Sequence, residues 1–180
     1  PEFTAYFTDN VRIPVPKGTT RFETPPGQQA QFDWKESIPF ETRDGEKVEV
    51  NVGALVLGYS RFRVFTLTLR KTQDVLFSFL TEAFEKIGGV PKEIVTDNPK
   101  TIMDLPRTED SSGKVNQRFA AFAKDYGFKV RPCIAGRPRT KGKVETQMKF
   151  LDEIHAYQGQ LTLDELYQFI EKLMNRVNQS

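Results

Sequence analysis

The sequence predicts an α/β domain: a mixed five-stranded sheet flanked by helices. Three observations predict it. Three strand-like runs follow one another through short links, so they pair antiparallel. The hydrophobic period then shifts from two to that of a helix. Two further short strands each follow a helical segment and rejoin the sheet by crossover connections.

The elements follow in order. The first strand is expected over Gln29 to Phe40, which carries Phe32, Trp34, Ile38 and Phe40. Asp44-Gly45 marks a hairpin turn, because glycine tolerates positive φ. Lys47 to Leu57 alternates through Val48, Val50 and Val52 before the run Ala54-Leu55-Val56-Leu57, and Phe62 to Leu69 is the third strand. Leu76, Phe79, Leu80, Ala83, Phe84 and Ile87 then share one helical face, with Thr72 as a cap and Gly88-Gly89 as a stop. Glu93 to Thr96 is a short strand, and Asn98 to Gly113 reads as a loop. Val115, Phe119, Phe122 and Tyr126 mark a second helix, and Phe128 to Ile134 a fifth strand. A basic loop from Ala135 to Gly142 leads to a third helix with the stripe Val144, Met148, Leu151 and His155. Thr162-Leu163-Asp164-Glu165 has capping-box spacing, with Leu161 and Leu166 as the staple of a fourth helix.

The totals bound the function. At 180 residues, 38% hydrophobic and 28% charged, the chain is long enough for one real core. Residues 1–27, rich in Pro, Gly and Thr, read as an irregular lead-in or linker, 28–158 as the core, and 159–180 as a C-terminal helix leading to a downstream domain. No apolar run approaches a membrane span, and no N-terminal apolar segment suggests secretion. A single cysteine, Cys133, excludes an internal disulfide framework and fits a reducing compartment. With one histidine, it also excludes a Cys/His zinc site. The net charge of +2 says little, but Lys129 to Lys149 holds seven cations and one acid, Glu145. That surplus suits a polyanion; on charge alone, a solvated basic loop explains it equally well.

Three carboxylates stand out. Asp33 interrupts the apolar texture of the first strand, Asp97 sits at the C-terminal edge of the fourth, and Glu145 lies at the margin of an apolar helix face. Ligands gather at such strand ends. If the first and fourth strands are neighbours, the aspartates meet. Two bare carboxylates about 4 Å apart repel by roughly 4 kcal/mol at an effective dielectric of about 20. A cluster of three must therefore take up protons or a cation, and an all-oxygen set suits Mg²⁺ or Mn²⁺. Two such ions support in-line phosphoryl transfer. From periodicity alone, Asp97 as a turn residue and Asp33 as an edge-strand charge remain open alternatives.

Gln31-Phe32-Asp33-Trp34, Val95-Thr96-Asp97-Asn98 and Lys141-Gly142-Lys143-Val144-Glu145 resemble the signature blocks of retroviral-integrase-type DDE transposases, which have a ribonuclease H-like fold. Arg21 to Gly27, Asp97 to Thr101, Tyr126-Gly127-Phe128 and Arg137 to Glu145 are most similar to IstA-type insertion-sequence transposases. The resemblance covers about residues 20–157. It implies that Asp33, Asp97 and Glu145 hold two Mg²⁺ or Mn²⁺ ions for DNA cleavage and 3′-hydroxyl strand transfer. It further implies transposon-end and target DNA as partners, a homo-oligomer, a partner ATPase, and a bacterial cytoplasmic, nucleoid-associated location. The gap from Asp97 to Glu145 exceeds that of the most compact family members, and the segment from Asn98 to Gly113 is where extra length is expected.

Lys149, one turn after Glu145, can reach a phosphate beside the ions or pair with Glu145. Arg137, Arg139, Lys141 and Lys143 are expected to grip backbone phosphates, and Asn98 and Lys100 to orient a scissile strand, although Asn98 also suits a turn. His155 reads as a packed or hydrogen-bonded residue rather than a catalytic one, and Cys133 and Trp34 read as packing residues. A hydrolytic nuclease of the same fold and an inert DNA-binding or assembly module are the competing readings.

Overall fold

The apolar runs pair as expected. In the computed structural model, which describes residues 27–135 and 154–179, β1 (Gln29–Glu41), β2 (Lys47–Leu57) and β3 (Arg63–Thr68) form an antiparallel meander. Gly45, at φ 86°, makes the β1–β2 turn that Asp44-Gly45 predicts. α1 (Gln73–Ile87) leads to β4 (Glu93–Thr96), and α2 (Gln117–Tyr126) leads to β7 (Lys129–Pro132). The sheet order is β3-β2-β1-β4-β7. β4 pairs parallel with both β1 and β7, so antiparallel pairing gives way to parallel at β1.

α1 forms where its sequence directs. Thr72 accepts a hydrogen bond from Val75 N, Gly88 closes the helix in the left-handed region, and all six stripe residues are buried. Phe79 meets Phe32 of the sheet at 6.0 Å between ring centroids. Phe84, Phe119, Phe122, Tyr126 and Phe128 form one aromatic cluster between the helices and the sheet. The phenylalanines of both helices therefore pack into or against the core.

Two expected boundaries need correction. The stretch after Asn98 is not a plain loop: β5 (Met103–Leu105) and β6 (Lys114–Val115) form a two-stranded ribbon. Val115 belongs to that ribbon, opposite Met103, and not to the helix. Asn116 is the reason, since its side chain accepts from Arg118 N and Phe119 N and starts α2 after it. The third helix lies largely outside the described residues. His155 is exposed in a single 3₁₀ turn at 154–157, while Ile154 is the fully buried residue. The packing role expected of His155 therefore falls to its neighbour. Cys133 is buried just past the end of β7.

β1 carries a feature that alternation alone hides. Lys35 pairs with Val52 but Ile38 with Val50, so one extra residue is inserted in β1. Ser37 takes φ 55°, and its N–H is held by buried Asn51 Oδ1 at 2.9 Å. Opposed residues of an antiparallel pair share a face. Phe32 and Trp34 oppose Leu55 and Gly53, whereas Ile38 and Phe40 oppose Val50 and Val48. The bulge therefore sends two apolar pairs with the same numerical parity to opposite faces of the sheet.

α3 (Leu163–Gln179) packs against β3 and buries Leu166, Ile170, Leu173 and Met174. Asn178 accepts from Arg63 N and donates to Arg63 O, covering part of the β3 edge with an amide. At its start the capping box closes: Thr162 N donates to Glu165 Oε1 at 2.9 Å and Glu165 N to Thr162 Oγ1 at 3.2 Å. The Thr162 backbone bond, aided by Arg43, holds the Glu165 carboxyl below its ordinary value of 4.5. A lowered folded-state value means stability that is present above the unfolded value and lost as pH falls through the folded one. In acid titrations of stability, Glu165→Gln is expected to flatten the decline below about pH 4.5 relative to the unmodified chain. No helix among the described residues is long and apolar enough to cross a membrane.

Candidate active site

The parallel β1–β4 register places the two predicted aspartates together. Its last pair is Phe32 with Thr96, so the next position on each strand is Asp33 and Asp97. Adjacent strands lie about 4.8 Å apart. Both aspartates line one cleft of about 240 Å³, with Phe32, Trp34, Glu36, Thr96, Asn98 and Pro99. Asp97 is exposed and Asp33 half-buried, so the pair keeps access to water.

Asp33 is held from both sides of its backbone. Asp33 Oδ1 accepts from Trp34 N at 2.9 Å. The Trp34 ring fills the space above Gly53, where an added Cβ would stand 2.7 Å from Trp34 Cζ3. Only glycine leaves room for the ring there. Phe32 flanks the same ring at 6.0 Å, so Trp34 is the packing residue expected of it.

Asn98 has a part the sequence did not reveal. Its Nδ2 donates to Cys133 O at 2.9 Å and its Oδ1 accepts from Arg107 N at 2.8 Å. Arg107 in turn donates to Pro132 O. The side chain thus ties the end of β4 to the end of β7 and to the ribbon segment. Asn98→Ala is expected to cost about 1–3 kcal/mol of stability in denaturant titrations, because it strips partners from two backbone groups. Unchanged stability would leave Asn98 as a cleft-lining residue only. Lys100 is exposed just beyond it.

Glu145 and the cations Arg137, Arg139, Lys141, Lys143 and Lys149 lie outside the described residues, as do Arg21 to Pro26. Among the described residues no group of three His, Cys, Asp or Glu side chains is close enough to hold a metal, so the site there is the Asp33–Asp97 pair. That pair offers oxygen donors without nitrogen or sulfur. Mg²⁺ keeps several waters and is often held by only one or two carboxylates plus phosphate oxygens, so the donor set fits a hard divalent cation. Among the described residues, buried Gln31 Oε1, two residues before Asp33 in sequence, and Thr96 Oγ1, which lines the cleft beside Asp97, have no hydrogen-bond partner. Sequence reasoning missed Glu36 in the cleft. The available signal was Asn51, a polar residue inside the valine-rich β2 run, which holds the bulge beside Glu36.

Residues 23–138 match the model of the integrase core domain. The chain belongs to the integrase core domain family. The matched span of this integrase core includes Asp33 and Asp97 and ends before Glu145. The chain is 61% identical over 181 residues to the transposase for insertion sequence element IS232 of Bacillus thuringiensis subsp. berliner, covering 100% of this chain and 42% of that protein. It is 38% identical over 140 residues to the transposase for insertion sequence element IS21 of Pseudomonas aeruginosa, covering 76% of this chain and 34% of the relative. The integrase core thus spans less than half the length of these relatives. Among solved structures, it is similar to a chain of the simian T-cell lymphotropic virus intasome in complex with PP2A regulatory subunit B56 gamma. The TM-score is 0.61 at 20% identity, over 92% of this chain and 54% of that one. The likeness is one of fold, and the fold is ribonuclease H-like, as the motifs imply.

Proposed function

We propose that this integrase core is the catalytic core of a DNA transposase, which cleaves DNA at the element's ends and joins the freed 3′-hydroxyl to target DNA. The observation that carries the reading is that Asp33 and Asp97 line one cleft, each one residue past the last pair of the parallel β1–β4 ladder. Support comes from the family match and from the transposase names of relatives at high identity.

In this reading Asp33, Asp97 and Glu145 hold Mg²⁺ or Mn²⁺, two ions when substrate is present. When bound, the ions supply charge neutralisation for phosphoryl transfer. The protein supplies position. β1 and β4 fix the spacing of the aspartates, and the Trp34–Gly53 contact restrains the backbone at Asp33. The cleft is open, which suits one phosphodiester of a long strand better than an enclosed small molecule. Asn98 and Lys100 border the strand's path, and Arg137, Arg139, Lys141, Lys143 and Lys149 contact phosphates, setting affinity rather than sequence choice. The active complex is a homo-oligomer working with a partner ATPase in the bacterial cytoplasm, at the nucleoid.

The test is an assay with duplexes carrying the element's ends, a target duplex and Mg²⁺. Covalent joining of end to target is the expected product. Nicks without joining favour the hydrolytic nuclease, and the absence of both favours the inert module.

A further inference from the structure

Beside the aspartates, the β1 bulge brings a carboxylate and a cation to the rim of the cleft. Glu36 lines the cleft with Asp33 and Asp97. Lys71, which precedes the α1 cap, reaches back to the bulge. Its Nζ donates to Ser37 Oγ at 3.3 Å and stands 3.9 Å from Glu36 Oε1. The arrangement is costly to build. Ser37 is not a glycine, yet it adopts left-handed backbone, and buried Asn51 is committed to holding it there. Bulges and strained residues of this kind re-aim side chains beside functional sites.

The ion pair itself is weak by position. The Lys71 and Glu36 side chains retain 50% and 46% of their exposure, so water screens both partners. A doubly held lysine with a weak partner can be exchanged for a stronger anion. Resting on the reading that the cleft receives DNA, we propose that Lys71 is a phosphate-contact residue of this site. Glu36 and Ser37 hold it at the cleft rim, and it passes from the Glu36 carboxylate to a phosphodiester of the entering strand. Its role is to position the strand. Glu36 sets the threshold: it keeps Lys71 extended over the rim and competes with phosphate for it.

Charge counting on DNA separates this from a structural role. Each phosphate neutralised contributes about 0.9 to the slope of log affinity against log salt. Binding of a fluorescent duplex is measured across a salt series for the unmodified chain, Lys71→Gln, Lys71→Arg and Lys92→Gln. Lys92 is an exposed cation just before β4, at the strand's other end from Asp97. Lys71→Gln is expected to reduce the slope by about one, while Lys71→Arg and Lys92→Gln keep it. Glu36→Gln is expected to tighten binding several-fold in the unmodified background and to lose that gain beside Lys71→Gln. An unchanged slope for Lys71→Gln overturns the contact. A Glu36→Gln gain that persists without Lys71 overturns the exchange, because simple repulsion then explains it. Either result leaves metal-dependent cleavage as it was. Failure of the unmodified chain to bind DNA overturns the DNA reading and this inference with it.

Discussion

Asp97→Asn is expected to lower DNA cleavage about a thousandfold, equivalent to about 4 kcal/mol of transition-state stabilisation. The substitution keeps the shape of the side chain and removes its charge. Asp97 is exposed just past the end of β4. DNA affinity is expected to stay level or rise slightly, since a negative charge leaves the cleft. Asp33→Asn should match it, and the double variant should be scarcely worse than either if the two carboxylates act as the one unit proposed above. Single-turnover cleavage with Mg²⁺, read beside duplex binding by anisotropy, checks all three. Cleavage by Asp97→Asn at the unmodified rate would remove Asp97 from the site.

Gly53→Val is expected to destabilise the fold by about 3 kcal/mol, the upper end for overpacking a close contact. A Cβ at this position already meets Trp34 Cε3 at 2.8 Å and Thr66 Cγ2 at 3.3 Å, so the γ-carbons of valine deepen the clash. Neither neighbour is the free end of a flexible chain: Trp34 is a broad ring and Thr66 lies in β3. The ring must swing away, and it carries the backbone next to Asp33 with it. Denaturant titration measures the stability. Mn²⁺ affinity, followed by the metal's paramagnetic effect on water relaxation, is expected to fall as well. A stability loss without a change in affinity would separate Trp34 from the placement of Asp33.

Much of this was legible in the residues, for identifiable reasons. α1 announced itself because a cap, a six-residue stripe and a glycine stop all agree. β4 was legible because Glu93 to Thr96 stands between the helix stop at Gly88-Gly89 and the turn-like Asp97-Asn98-Pro99. The adjacency of β1 and β4 was not readable from periodicity, since pairing across 64 residues leaves no local trace; the motifs implied it. The ribbon was hidden because β6 has only two residues and neither strand alternates. The bulge was hidden because Phe32, Trp34, Ile38 and Phe40 have one parity, and only the partner register shows that they part. Glu36 went unnoticed with it. Asn98 was readable only as a strand-orienting or a turn residue, because a sequence cannot show that both ends of its amide reach backbone 9 and 35 residues away.

The β1–β4 pairing also bears on the order in which the chain folds. β1 meets β2 through a five-residue turn, whereas Gln29 must find Glu93 across 64 residues of chain. Loop closure makes the second encounter the slower one. The hairpin that carries Asp33 is therefore expected to form early, and the strand that brings Asp97 to dock late. In the proposed reading, a divalent cation shared by the two carboxylates would bind only after docking, and its binding free energy would add to the stability of that seam. Mn²⁺ should accordingly slow unfolding more than it speeds folding, and Asp97→Asn should abolish that effect.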